Sequence, residues 1–314
     1  MLLLCTVLWA VSFPVMKALA LAQQQLLPQD GSWFFTALSV VYRFAFAGLL
    51  LLPFIARRLR TLRWREVEQG LVVGAFGGIG ILFQMDGLTY TSASTSAFLT
   101  QGYCVFIPLW VALISRRWPS LKVFLSVAMV LAGVGVLAEI NFRSFHLGRG
   151  EIETLLASLM FTGQILNLER ARYAENRPVM MTFVAFIVMA LIAAPVALHT
   201  APDTASWWRA YASPAAAGLM AIVTVFCTLG AYIVMNLWQR RVSATEAGLI
   251  YCAEPVFASV MALFLPEIFS RWAHIGYANE SLTLRLLIGG GLITAANVLI
   301  LSRWLENCSR RSVD

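Results

Sequence analysis

Charge is what this sequence has least of. Asp, Glu, Lys and Arg make up 12% of its 314 residues, about half the share of a soluble domain. With 60% hydrophobic residues and a mean hydropathy of +0.76, most of the surface must face lipid or other apolar helices. A water-soluble fold is excluded, and an integral membrane protein is what remains. Histidine is scarcer still. His146, His199 and His274 all fall in hydrophilic connectors, and none stands in an H-E-x-x-H pattern, so no metal site is indicated. The five cysteines, Cys5, Cys104, Cys227, Cys252 and Cys308, show no C-x-x-C spacing, and four sit in apolar runs. They read as small packing residues rather than metal ligands or disulfide partners.

Missing motifs remove further classes. No glycine-rich Walker A loop is present, which argues against direct ATP drive. Paired aspartates, a serine-nucleophile motif and zinc ligands are all wanting within the apolar runs, so the chain is not expected to be an enzyme or to hold a cofactor. No ring of like charges suggests a channel. The net charge of +7 comes from basic residues scattered over short connectors rather than one patch, so nucleic acid is not an expected partner.

What the sequence does have is a repeat. Tyr90 to Phe106 reads Y-T-S-A-S-T-S-A-F-L-T-Q-G-Y-C-V-F. An echo 151 residues later, Arg241 to Phe257, reads R-V-S-A-T-E-A-G-L-I-Y-C-A-E-P-V-F. At that offset Ser92 meets Ser243, Ala93 meets Ala244, and Val105-Phe106 meets Val256-Phe257. An offset near half the chain length implies two copies of one unit, expected over residues 1–140 and 148–306.

A membrane-spanning helix needs about 20 apolar residues. Ten stretches meet or approach that length, at roughly 2–21, 36–56, 68–88, 93–115, 121–139, 151–168, 180–198, 215–237, 245–265 and 284–303. The sixth is diluted by Glu151, Glu153, Gln164 and Asn167, but the repeat sets Met160 opposite Trp9 of the first and supports it. The first stretch carries Ala18-Leu19-Ala20, which resembles a signal-peptidase site. It lacks a basic leader and places Lys17 just before that step, so a retained first span is expected.

Alternate connectors carry the positive charge. Arg57, Arg58, Arg60, Arg63, Arg65, Arg116, Arg117, Lys122, Arg170, Arg172, Arg177, Arg240, Arg241, Arg303, Arg310 and Arg311 fall on one side, sixteen in all. Only Arg143, Arg149, Arg209 and Arg271 fall in connectors on the other. The basic-rich side and both termini are therefore expected in the cytoplasm. Five spans per unit is odd, so the second unit enters the membrane from the opposite face. The expected fold class is all-α: a multi-pass membrane protein with ten transmembrane helices in two inverted five-helix repeats. Trp33, Trp64, Trp118, Trp207, Trp208, Trp272 and Trp304 lie at predicted span ends, where an amphipathic ring suits the headgroup level. Gly74 and Gly78, Gly133 and Gly135, and Gly289 to Gly291 mark expected close helix contacts. The connector from Glu267 to Ser281 is about seven residues longer than its first-half counterpart, judged by the shift from Gly133 to Gly291.

These residues carry a family resemblance. The S-A-S and S-A-T steps, the Glu254-Pro255-Val256-Phe257 helix, the opening Leu8-Trp9-Ala10-Val11-Ser12-Phe13 and Tyr42-Arg43-Phe44 resemble EamA-type units of the drug/metabolite transporter superfamily. The likeness spans essentially the whole chain as two five-helix units. It implies a ten-helix bundle in the inner membrane that exports or exchanges small metabolites or drugs. The pattern also departs from the family. Ser115-Arg116-Arg117 stands where a glycine-glutamate pair is frequent, and Gln101-Gly102-Tyr103-Cys104 faces Cys252-Ala253-Glu254-Pro255 across the repeat.

Charged groups inside spans are the first site candidates, because each costs at least about 2.5–3.5 kcal/mol at the bilayer centre. Glu254 lies nine residues into the ninth span, about 14 Å from its start, as a substrate ligand, a proton-coupling group or a structural carboxylate. Arg43 lies about 10 Å inside the second span. Its options are reaching for the interface, pairing with a carboxylate such as Asp86 or Glu254, or binding an anionic substrate group. Asp86 and Lys17 sit near outer span ends, within reach of water or headgroups. Tyr103 is the repeat mate of Glu254. Gln84, Gln101, Gln164, Asn167, Asn236 and Asn297 converge on the inner bundle, as interhelical bonds or substrate contacts. Trp9, Phe13, Phe106, Tyr251 and Phe257 supply an apolar wall. Pro14, Pro108 and Pro255 are expected to kink spans 1, 4 and 9 around a central cavity.

The function expected is a secondary transporter, moving a small molecule by alternating access through a site between the repeats. Its partners are that molecule, the lipid bilayer and, as coupling ion, protons. A lipid-linked flippase and an uncoupled facilitator are the alternatives.

Overall fold

The computed structural model describes residues 1–114, 116, 121–137, 147–241, 247, 250, 251 and 253–311. The expected matches at Ser243, Ala244 and Thr245, and the residues Ser115, Arg117 and Cys252, lie outside them. Among the described residues all regular structure is helical. The helices are α1 (Leu2–Leu26), α2 (Ser32–Leu59), α3 (Trp64–Tyr90), α4 (Ala93–Thr100), α5 (Tyr103–Ile114), α6 (Leu121–Leu137) and α7 (Arg149–Leu168). After them come α8 (Pro178–Thr200), a short α9 (Ser206–Arg209), α10 (Pro214–Ile222), α11 (Ala231–Trp238), α12 (Glu254–Ala262), α13 (Leu265–Ala273) and α14 (Leu284–Arg311).

Local chemistry sets several of these starts. The Ser92 side chain caps α4 by accepting from Thr95 N–H at 3.0 Å, and Ser213 caps α10 through Ala216 N–H at 3.1 Å. Such caps satisfy donors that the first helical turn leaves open. Pro178 and Pro214 stand in the first turns of α8 and α10, where a missing N–H costs nothing. Among the described residues five stretches are single helices long and apolar enough to cross a membrane: α1, α2, α3, α8 and Pro214–Trp238. The last contains a π-helical stretch, Val223–Gly230, between α10 and α11.

Three expectations about span shape change. The fourth span is interrupted between α4 and α5 at Gln101-Gly102, not at Pro108. Pro14 lies within a continuous α1. The ninth span does not run straight into a connector: α13 follows α12 at a 51° bend and takes up Glu267 and Arg271, which the sequence had suggested were loop. Charge at 267 and 271 hid an apolar side made of Ile268, Phe269 and Trp272.

The two halves of the chain interleave. The α1 helix packs on α11 and α12, α2 on α8 and the π stretch, α3 on α7 and α8, α4 on α7 and α12, and α6 on α14. Glycine permits the closest of these approaches. A Cβ on Gly133 of α6 would stand 2.8 Å from the Gly289 carbonyl oxygen of α14, and one on Gly289 would stand 2.9 Å from that of Gly133. On α3, a Cβ at Gly74 would meet the Ala185 carbonyl oxygen of α8 at 2.8 Å.

Connectors gather at two ends. At one, Lys17 donates to the Thr91 carbonyl, Ser32 bonds Tyr90 at 2.8 Å, Gln25 donates to the His274 carbonyl at 3.1 Å, and Ala93 N–H donates to Glu280 at 2.8 Å. Lys17 is thus engaged within the protein instead of extending to the headgroups. At the other end, Arg177 grips buried Glu66 through two bonds of 2.6 and 2.7 Å and the Thr61 carbonyl at 2.6 Å. Its neighbour Asn176 donates to the Arg65 carbonyl at 2.9 Å. This second end holds the basic-rich connectors at 57–65 and 170–177.

Candidate substrate cavity

At mid-bundle the interleaved helices leave a cavity of about 70 Å³. Its apolar wall comes from Trp9 and Phe13 of α1, Ile81 of α3, Phe161, Ile165 and Leu168 of α7, Tyr232 and Met235 of α11, and Tyr251. Its polar groups are Ser12, Arg43, Gln84, Thr100, Tyr103, Gln164 and Glu254. Both halves of the chain contribute to wall and polar groups alike.

Aromatic packing shapes one side. The Trp9 ring centroid lies 5.3 Å from Tyr251 and 6.3 Å from Tyr232, and Tyr232 continues edge-on to Phe186 at 5.6 Å and Phe44 at 5.9 Å. The Tyr251 hydroxyl donates to Gln239 at 3.0 Å, which fixes the ring against Trp9. Edge-to-face rings resist sliding and hold a wall in place.

Glu254 opens α12, directly after a turn at Ala253, with Pro255 in the first helical turn. A carboxylate suits a helix start, where unpaired N–H groups carry partial positive charge. Glu254 is buried, and its Oε2 accepts from Gln101 Nε2 at 3.1 Å. Gln101 is the residue at which the fourth span breaks, so the interruption in one half is tied to the helix start in the other. Interrupted helices at mid-membrane are a frequent frame for substrate sites, because they point backbone groups inward. Across the cavity Gln84 Nε2 donates to Thr100 Oγ1 at 3.0 Å, holding α3 to the end of α4.

Arg43 is fully buried, and among the described residues it pairs with neither Asp86 nor Glu254, contrary to the pairing expected from sequence. Its Nε donates to Thr228 Oγ1, its Nη2 to the Cys227 carbonyl at 3.3 Å, and its Nη1 to Met16 Sδ at 3.1 Å. The π stretch explains this. Thr228 donates to the carbonyl of Val223 five residues back, and the widened turn leaves a carbonyl to meet the guanidinium. π-Helical widening inside an α-helix is frequent at functional sites.

Of the residues selected from sequence, Trp9, Phe13, Arg43, Tyr103, Tyr251 and Glu254 line this one cavity, and Gln101 touches it through Glu254. Asp86 does not. It lies at the connector end of α3, fully buried, in an ion pair with Arg149. Burial there, rather than contact with water, corrects the placement expected from its position near a span end. Tyr232, Met235 and Phe161 are cavity residues that sequence reasoning missed, because single aromatic and methionine residues in apolar spans carry no distinguishing signal.

Residues 1–138 match the EamA-like transporter family. An uncharacterized transporter of Archaeoglobus fulgidus is 25% identical over 279 residues, covering 87% of this chain and 80% of that protein. A protein of known crystal structure superposes with a TM-score of 0.58 at 16% identity, over 96% of this chain and 98% of that one. That last likeness is one of fold alone.

Proposed function

From a multi-pass membrane protein whose residues 1–138 match the EamA-like transporter family, we propose a secondary transporter of small metabolites or drugs. Its substrate site is the cavity between the two halves, and alternating access exposes that site to each face in turn. The observation that carries the proposal is the joining of both halves at the cavity through Gln101 and Glu254. The cavity holds about 70 Å³, room for roughly two waters, whereas small-molecule sites run to about 300 Å³ and more. A substrate therefore enters only when the halves move apart, which is what rocking of one half against the other provides.

The pairing of helices supports two repeats of one unit, residues 1–140 and 148–306. Contacts of α1 with α11 and α12 have counterparts in those of α7 with α3 and α5, as a two-fold exchange of the halves requires. The basic-rich end, with both termini, is assigned to the cytoplasm of an inner-membrane protein by the charge asymmetry. Export is the assigned direction.

A lipid-linked substrate is the second reading. It is supported by an apolar groove of about 760 Å³ beside α4, α12 and α14, lined by residues such as Phe98, Val256, Leu286 and Val298. The test is uptake and counterflow in proteoliposomes against a panel of amino acids, nucleosides, polyamines and toxic analogues, with wild type and Glu254→Gln side by side. A substrate moved by wild type and at least tenfold less by Glu254→Gln supports the cavity. Movement of lipid-linked carriers alone favours the second reading.

A further inference from the structure

A second acidic site lies away from the cavity, where α3 meets the start of α7. The approach there is as close as backbones allow. A Cβ on Gly87 would stand 2.9 Å from the Gly150 carbonyl oxygen, and one on Gly150 would stand 2.8 Å from that of Gly87. This contact brings Asp86 of α3 and Glu153 of α7 onto separate nitrogens of one guanidinium, that of Arg149. One cation serves both. Arg149 pairs with Asp86 Oδ2 through Nη2 and with Glu153 Oε1 through Nε at 2.8 Å. Its Nη1 donates to the Tyr90 hydroxyl at 2.7 Å, and its guanidinium lies 4.3 Å from the centre of that ring.

The remaining two carboxyl oxygens are the informative ones. Asp86 Oδ1 and Glu153 Oε2 are both buried and accept no hydrogen bond from any donor. The two side chains are 0% and 10% exposed, while Arg149, at 43%, faces solvent and covers them. Other charged groups nearby are already engaged. Glu151 accepts from the Thr91 hydroxyl at 3.0 Å, Lys17 of α1 is on the Thr91 carbonyl, and Glu280 takes the Ala93 N–H at the start of α4. None supplies a donor to the two orphaned oxygens. Two buried carboxylates held on one guanidinium cannot both stay ionised at small cost. A hydrogen atom between them would satisfy one oxygen as donor and the other as acceptor, and would leave a single negative charge to balance Arg149.

We propose that Asp86 and Glu153 bind one proton between them, forming an ion site at the connector end of the interface between the chain's halves, separate from the substrate cavity. Helix α3 carries Ile81 and Gln84 into the cavity, and α7 carries Phe161 and Gln164. Loss of the proton to water past Arg149 turns an attractive contact between these helices into a repulsive one. The proton thus holds this end shut, and its release lets α3 and α7 separate. Use of the site for coupling rests on the transport function proposed above; proton binding does not.

The test is infrared difference spectroscopy of the purified full-length protein in lipid nanodiscs at neutral and alkaline pH. Wild type is expected to show a protonated-carboxyl band at neutral pH that disappears on alkalinisation. In a Glu254→Gln background, which removes the buried carboxyl of the cavity and should retain the band, Glu153→Gln and Asp86→Asn each leave one carboxylate for Arg149 and should abolish it. A wild-type protein without such a band overturns the site, whatever the variants do. So does a band that survives both Glu153→Gln and Asp86→Asn in that background, or one already lost in Glu254→Gln alone. Sodium that removes the wild-type band at constant pH would overturn a proton site in favour of a metal cation. In proteoliposomes, once a substrate is known, Glu153→Gln should flatten the pH dependence of transport by at least fivefold. Absence of transport for every compound tested would count against the transport function and leave the infrared result to decide the site.

Discussion

Gln101 stands at the break between α4 and α5, Glu254 stands at the start of α12, and a 3.1 Å hydrogen bond joins them. At offset 151 Gln101 corresponds to Cys252 and Glu254 to Tyr103, so the bond links positions that the repeat does not make equivalent. The cavity is accordingly lopsided, with an acid on one side of the exchange and a phenol on the other. Gln101→Ala removes the only hydrogen bond to Glu254 among the described residues while leaving the carboxylate in place. Leaving a buried polar group without its partner costs about 1–3 kcal/mol. Thermal unfolding in detergent should show that loss for Gln101→Ala, and a smaller one for Gln101→Glu at a pH low enough to protonate the introduced acid. Equal stability of wild type and Gln101→Ala would mean the bond holds nothing together.

Arg43 makes a second prediction. Its planar fork reaches Thr228, Cys227 and Met16 at once across the π stretch. Lysine keeps the charge but cannot match that geometry. Arg43→Lys should destabilise the protein by roughly 1.5–3 kcal/mol, read from unfolding in detergent. The same variant in Thr228→Val should cost less than it does in wild type, because both changes remove the Arg43–Thr228 bond while the bonds to Cys227 and Met16 are lost only with the arginine. Additive costs would show that Arg43 is held by something other than the π stretch.

The contact between α6 and α14 gives a matched pair of substitutions. A Cβ at Gly133 meets a backbone oxygen at 2.8 Å, while one at Gly135, two residues on, meets nothing within 4 Å. Gly133→Ala should destabilise by about 1–3 kcal/mol through forced separation of the helices. Gly135→Ala should be neutral or gain up to about 1 kcal/mol from lower chain entropy in the unfolded state. Melting curves of the two variants should therefore move in different directions. Similar losses in both would show that the cost does not arise at the Gly133 contact, since alanine is the better helix former at either position.

Much of this architecture is legible in the sequence, because lipid imposes its demands on composition. Apolar runs near 20 residues marked α1, α2, α3 and α8, and the charge count separated the connectors. The cavity was partly legible for the same reason: Arg43 and Glu254 stand out where charge is costly. Other features lack a compositional mark. The π stretch at Val223–Gly230 shifts hydrogen bonds by one residue without changing how apolar the segment is. The break at Gln101-Gly102 competes with Pro108, and proline carries the stronger signal although α5 runs through it. Asp86, Arg149 and Glu153 are ordinary polar residues near span ends when taken singly. Only the approach of Gly87 to Gly150 makes them one site, and no spacing rule connects positions 63 residues apart.

The central claim is that the cavity opens to each face of the membrane in turn. Ser12 lines it, and its hydroxyl donates to the Trp9 carbonyl at 2.6 Å, so Ser12→Cys is a small change at the site. In a background with the five native cysteines replaced, this single thiol can be challenged with a membrane-impermeant reagent in right-side-out and in inverted vesicles. Labelling from both sides, slowed by a transported substrate, is the result predicted. Labelling from one side only, or from neither while an exposed connector cysteine reacts normally, would contradict alternating access through this cavity.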